Sequence, residues 1–194
     1  MRALAWAALV WLSGMLAGHA FAAAPVEGIR IWYPADAYPR LALPDGRQQE
    51  VRSMLNISKA MRFGDFVWDE KRIPQGQVWI RIDLGRQLLS VFRAGHEIGT
   101  AIVLYGSDGK ATPTGKFPIL EKDKDHTSHS YDAPMPYMLR LTRDGVAIHG
   151  SDVRKGWATH GCIGVPLAFA KLLFATASKG DVVDILPAAT KRPQ

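Results

Sequence analysis

Gln77-Val78-Trp79-Ile80-Arg81-Ile82-Asp83-Leu84-Gly85-Arg86 is the stretch on which the fold turns. Val78, Ile80, Ile82 and Leu84 alternate with Trp79, Arg81 and Asp83, so the two sets face opposite sides of a strand. Gly85-Arg86 reads as a turn and Leu88 to Phe92 as a second strand. Ala94-Gly95 is another turn, and Ile98 to Leu104 a third strand, completing a β-meander. Further along, strands are predicted at 116–121, 135–142 and 145–149. Pro166 opens a predicted helix over 167–178, with Lys179-Gly180 as its stop. Val182 to Leu186 closes the domain as a strand.

Upstream, Ile73-Pro74-Gln75-Gly76 is a turn or linker. The stretch before it is punctuated by Pro34, Pro39 and Pro44. Asp45 stands three residues ahead of Gln48, as in a capping box, and Val51, Met54, Leu55 and Ser58 follow at helical spacing. These features predict a short helix over 47–61. The expected architecture is mainly β with α: mostly antiparallel and sandwich-like, with one C-terminal helix. It divides into an N-terminal extension at 23–76, a main domain at 77–187 and a tail at 188–194.

Composition narrows the field. The chain has 194 residues, 47% hydrophobic and 22% charged, which excludes wholesale disorder, a collagen-like repeat and a coiled coil. A single cysteine, Cys162, excludes an intrachain disulfide framework and any Cys-rich metal site. The formal charge is +6 with a pI near 9.6, which suits an anionic polymer, a membrane surface or nucleic acid without choosing among them. Residues 1–22 read as a secretory signal: Arg2 is the positive flank, Ala3 to Met15 is apolar, and Ala20-Phe21-Ala22 offers small residues for cleavage after Ala22. The apolar run is short for a membrane span, and an uncleaved anchor is the alternative reading. No cysteine lies near the cleavage region, so a lipoprotein is excluded. The expected product is an exported protein of the periplasm or cell envelope, without stable membrane insertion. Loss of Arg2 lowers its formal charge from +6 to +5.

The densest reactive cluster is Ile148-His149-Gly150 followed by Ala158-Thr159-His160-Gly161-Cys162-Ile163. It holds two of the six histidines and the only cysteine. A thiol nucleophile needs a base or cation to reach the thiolate near neutral pH. It also needs donors for a developing oxyanion, which the amides of a tight glycine-containing turn supply. His149 ends a predicted strand and Cys162 sits in a turn 13 residues later, a separation that suits a strand end and a returning loop. The alternative for Cys162 is a small buried hydrophobe. An unpaired thiol in an oxidising compartment makes that alternative less comfortable.

Thr159-His160-Gly161-Cys162-Ile163, with His149-Gly150 upstream, resembles the signature of the L,D-transpeptidase catalytic domain, the YkuD-like family. Ala111-Thr112-Pro113-Thr114-Gly115-Lys116-Phe117 resembles its TPxG-type segment, and Met135-Pro136-Tyr137-Met138-Leu139-Arg140-Leu141-Thr142 its MPY-type strand. Gly145 to Gly150, the helix around Phe169 to Leu173, and Gly180-Asp181-Val182-Val183 also fit. The resemblance implies Cys162 as nucleophile and His149 as the histidine that activates it. Gly150, lacking a side chain, orients the imidazole only through its carbonyl. His160 is implied as a supporting residue of the turn, Gly161 and Cys162 as amide donors to the oxyanion, Thr159 as part of the binding turn and Tyr137 as a candidate substrate contact. One departure stands out: many members carry an arginine two residues after the cysteine, where this chain has Gly164. Arg140, Arg143, Arg154 and Lys155 are the cations in sequence that could replace it.

The reaction so implied is acyl transfer from a peptidoglycan tetrapeptide stem, through a thioester, to an amine of another stem or of a surface protein. Water as acceptor would make the enzyme an L,D-carboxypeptidase. No metal or organic cofactor is required, and acylation by carbapenems is implied. The acidic, histidine-bearing stretch Glu121 to His129 is expected as a solvated loop between strands, with a lid or a metal loop as alternatives. Rival readings are a zinc peptidase built on His149, His160 and Cys162, a sortase-like enzyme and a non-catalytic wall-binding module. HExxH is absent, which weighs against the first, and the TLxTC pattern is not matched, which weighs against the second. Nucleic-acid binding is not expected, since charge alone carries little weight.

Overall fold

The structure is a computed structural model that describes residues 26–27, 29–43, 45–107, 109–128 and 132–188. The predicted signal segment, His129 and residues 189–194 lie outside the described residues. The first elements are short strands: β1 (Val26–Glu27), β2 (Arg30–Trp32), β3 (Arg40–Ala42), β4 (Gln48–Glu50), β5 (Ser53–Leu55) and β6 (Phe66–Trp68). The meander follows as β7 (Val78–Asp83), β8 (Leu88–Arg93) and β9 (His96–Ile102). Then come β10 (Gly115–Pro118), β11 (Glu121–Ser128), β12 (Ala133–Arg140), β13 (Ala147–Ser151), β14 (Ile163–Pro166), the helix α1 (Leu167–Thr176) and β15 (Val182–Leu186).

These strands form a nine-stranded sheet in the order β1-β2-β5-β9-β8-β7-β15-β10, with β6 also paired to β9. A second sheet runs β11-β12-β13-β14, and β3-β4 is a separate hairpin. Most pairings are antiparallel; β5 joins β9, β15 joins β7 and β14 joins β13 in parallel. The two large sheets share one core. Ile80, Ile82, Leu89 and Val91 from the first meet Leu139, Ile148, Ile163 and Val165 from the second, with Phe169 and Leu173 of α1 between them. Phe169 sets its edge against Phe66 and Trp68, while Phe174 meets Tyr137 of the second sheet. Burying a side chain such as Phe169 stabilises the fold by about 1.5–3 kcal/mol. The alternation in β7 has a use on both sides, because Trp79 stacks on Phe92 at 4.0 Å in a smaller core with Leu43 and Val51.

Two expectations are corrected. No helix forms over 47–61; this stretch contains β4 and β5. The spacing of Val51, Met54 and Leu55 misleads, because the buried set is Val51, Ser53 and Leu55, a period of two. Asp45 accepts a hydrogen bond from the Arg47 amide at 3.2 Å, turning a hairpin with Gly46 at φ +80° rather than capping a helix. The second correction is Glu121 to Ser128, expected as a loop and found as strand β11 paired along β12. Its polar side chains have fixed tasks. The Lys122 ammonium donates to the carbonyls of Phe174 and Ala177, where α1 ends, and lies 4.5 Å from the Phe174 ring centroid. That helix end at Thr176 falls two residues short of the predicted limit. Among the described residues there is no group of three or more metal-ligating side chains, and no helix is long and apolar enough to cross a membrane.

Candidate active site

β13 carries His149, and β14 begins one residue after Cys162. The parallel register sets Ile148 beside Ile163 and His149 beside Gly164, so the imidazole stands on one strand and the thiol directly precedes its neighbour. Both side chains line one cleft of about 380 Å³, together with Lys110, His126, Met135, Arg140, Asp144, Thr159 and His160. His149 also borders a second hollow, on the side of Gly150, Asp152 and Leu167.

His149 Nδ1 lies 2.9 Å from the Gly150 carbonyl oxygen. A carbonyl only accepts, so Nδ1 carries the proton of the neutral ring and Nε2 is left with its lone pair. Burial pushes the His149 pKa below its usual 6.5, the Gly150 carbonyl opposes this, and His126 adds a smaller downward push. The Cys162 thiol is pushed above its usual 9.0 by burial. The Ala147 amide and the charge of Lys110 oppose that shift, and Asp144 reinforces it. Both shifts favour the uncharged forms, a thiol and an imidazole, over an ion pair. The thiol donates weakly to the Gly145 carbonyl at 3.7 Å.

The turn before Cys162 is held from three directions. Gly161 has φ +98°, the left-handed region that a side chain would disfavour. The buried Thr112 hydroxyl donates to the Gly161 carbonyl at 2.9 Å and accepts from the Gly106 amide at 2.9 Å. A Cβ on Gly106 would come within 2.9 Å of the Gly161 Cα, so the two backbones pass in direct contact. The Thr159 hydroxyl donates to the Cys162 carbonyl, and the Thr159 amide to Tyr105. Thr112 lies in the Thr112-Pro113-Thr114-Gly115 segment, whose sequence alone gives no sign that this hydroxyl braces the turn.

The remaining candidates divide. Thr159 and the exposed His160 line the cleft. Gly150 acts at the site through its carbonyl, and Gly161 through its backbone. Tyr137 is elsewhere: its ring packs against Phe174 of α1 and is not among the residues lining the cleft. A φ of +58° at Tyr137 interrupts the alternation of β12 there. Of the four cations considered in place of the absent arginine, only Arg140 lines the cleft, and it is paired with Glu121. Arg154 pairs with Asp152 at 2.5 Å and lies 5.3 Å from the Trp157 ring centroid. Lys110, outside that set, does line the cleft. Gly164 is closely packed, since a Cβ there would meet the Ser151 Cβ at 3.0 Å.

A thiol, a one-sided imidazole and a braced glycine turn in one cleft define a site suited to nucleophilic acyl transfer. The L,D-transpeptidase catalytic domain (YkuD) matches residues 77–185, and the chain belongs to that family. Among solved structures it is similar to an L,D-transpeptidase from Stackebrandtia nassauensis, at 24% identity and TM-score 0.54, over 61% of this chain and 60% of that one. It is also similar to an L,D-transpeptidase from Mycobacterium smegmatis, at 20% identity and TM-score 0.55, over 58% and 59%. A cysteine-to-serine variant of the Enterococcus faecium L,D-transpeptidase aligns at 26% identity and TM-score 0.53, over 58% and 50%. The alignment thus spans at most about three-fifths of these chains. No curated protein matches the chain.

Proposed function

We propose that this protein is an exported, cysteine-dependent L,D-transpeptidase acting on peptidoglycan tetrapeptide stems through a thioester acyl-enzyme. The observation that carries the proposal is the shared cleft of Cys162 and His149, with His149 Nδ1 committed to the Gly150 carbonyl. The signal-like residues 1–22 and the positive charge support export to an anionic envelope.

In the first step the Cys162 sulfur attacks the carbonyl that joins the third stem residue to the terminal D-Ala, while His149 Nε2 takes the thiol proton. With the uncharged pair favoured, the proton moves as the sulfur attacks. The carbonyl oxygen becomes an oxyanion beside the Gly161 and Cys162 amides. Its collapse breaks the C–N bond, and the imidazolium returns its proton to the departing D-Ala amine. A thioester remains. An acceptor amine then adds to it, giving its proton to His149, and the sulfur leaves and is reprotonated. The acceptor we assign is an amine of a second stem or of a surface protein, with water as the competing, hydrolytic acceptor. The chemistry uses no cofactor.

Incubation of the mature protein with tetrapeptide-containing muropeptides tests this. The expected products are free D-Ala and a cross-linked dimer, and a carbapenem is expected to add covalently to Cys162, as seen by intact mass. Cys162→Ala abolishes all three. Release of D-Ala without dimer would assign water as acceptor. Neither D-Ala release nor an adduct on folded protein would refute the enzyme and favour a wall-binding module.

A further inference from the structure

The cleft has two lysine or arginine side chains in its lining, Lys110 and Arg140. They are not equivalent. Arg140 is neutralised by Glu121, its register partner across β11 and β12. Among the described residues no carboxylate lies within salt-bridge distance of the Lys110 ammonium. Asp144, in the same cleft, acts on it only through its field. Lys110 is also placed by backbone. Its amide donates to Ser107 at 3.0 Å, and its Cγ lies 3.5 Å from where a Cβ on Gly161 would stand. Its stem therefore lies over the residue that precedes the nucleophile.

We propose that Lys110 is the residue that binds the terminal carboxylate of the donor stem, and so selects stems that end in a free carboxylate. The inference rests on the function proposed above. A carboxylate ending the departing D-Ala is three bonds from the attacked carbonyl carbon, within about one residue's reach of roughly 3.3–3.6 Å. Lys110 lines the same cleft as Cys162, with its stem against Gly161, so its ammonium and that carboxylate share one space. A carboxylate on a distant side chain of the stem would reach further. The positive charge of Lys110 also favours the Cys162 thiolate, in keeping with their shared cleft. Gly164 leaves no side chain at the position where the family commonly places an arginine, and a flexible ammonium from the opposite loop supplies a cation to the same cleft.

The test compares a tetrapeptide stem with its C-terminal carboxamide on wild type, Lys110→Gln and Lys110→Arg. For wild type, the carboxamide is expected to raise KM about tenfold, with kcat little changed. Lys110→Gln is expected to raise KM for the free acid about as much and to leave the carboxamide unaffected, and Lys110→Arg to restore most of the binding. Binding of both peptides to Cys162→Ala, with and without Lys110→Gln, gives the same comparison without chemistry. Independent, multiplying losses for the two changes would overturn the assignment. So would an equal loss on both substrates with a shifted pH profile, which would place the charge on the thiol instead. If the Cys162→Ala form binds the free acid tightly while the wild type releases no D-Ala, the catalytic reading fails while the Lys110 contact stands.

Discussion

Thr112→Val removes a hydroxyl, adds nothing in volume and cuts two hydrogen bonds at once. The Gly106 amide loses its acceptor and the Gly161 carbonyl its donor, both through contacts of 2.9 Å to a buried side chain. An unsatisfied buried backbone group costs about 1–3 kcal/mol, so the pair is expected to cost about 2–6 kcal/mol. For a domain of this size that lowers Tm by about 4–24 °C. The effect on rate is separate. Gly161 and Gly106 touch, so an unbraced Gly161 shifts the turn that presents the Cys162 amide and sulfur, and a displacement near 1 Å can cost about 100-fold in rate. We expect acylation by a carbapenem, followed by intact mass against time, to slow about 100-fold at saturation with little change in KM. Thr112→Ser keeps the hydroxyl and should recover both rate and Tm to within a few-fold and a few degrees. A Thr112→Val protein that melts within about 2 °C of wild type and acylates within threefold would refute the reasoning.

Two further outcomes follow from the same reading. Arg30 is buried and its guanidinium donates to Ser53 Oγ at 3.0 Å, to the Glu97 carbonyl at 2.6 Å and to the Asp69 carbonyl at 2.5 Å. Arg30→Met strands these acceptors and the nearby Asp69 carboxylate, so about 3–5 kcal/mol of stability should be lost in denaturant titration; a loss below 1 kcal/mol would show that the N-terminal strands are not tied to the sheet in this way. His149 is held below its usual 6.5, so the acid limb of kcat/KM should fall below that value. In the window between the folded value and 6.5 the unfolded chain binds the extra proton, so the His149 contribution to stability is present above 6.5 and is lost as pH falls through the folded value. A limb at or above 6.5 would contradict the burial argument; Tm against pH for wild type and His149→Gln checks the stability side.

The fold was legible where one physical signal dominated. In β7 the alternation of Val78, Ile80 and Ile82 with Trp79 survives because both faces are buried against different cores. The 47–61 stretch failed because its buried set, Val51, Ser53 and Leu55, includes a serine. Ser53 is buried because Arg30 and His96 hydrogen-bond to its hydroxyl, partners 23 and 43 residues away that no local window contains. β11 failed for a related reason. Glu121 to Ser128 has no apolar side chain to betray a strand, and its place is set by pairing with β12 and by Lys122 at the end of α1. The chemistry was more legible than the scaffold around it. Cys162, His149 and Gly150 stand out as candidates by type and order, whereas Thr112 and Lys110, which reach Gly161, lie about 50 residues before Cys162 in sequence.

Gly164 ties these points together. It pairs with Leu104 through both its amide and its carbonyl, at 3.0 and 2.9 Å, and lies beside His149 in the register. A side chain there would press on Ser151, the neighbour of Gly150, whose carbonyl orients the imidazole. An arginine at 164 would therefore act on His149 through the strand as well as through its charge. With glycine at this position, β14 packs closely on β13, and among the described residues the cleft's other lysine or arginine besides Arg140 is Lys110, on the loop before β10. Restoring charge by Gly164→Arg should thus disturb Ser151 and the His149–Gly150 contact before it improves substrate binding, because the neighbouring Cβ must yield by a few tenths of an ångström to admit it.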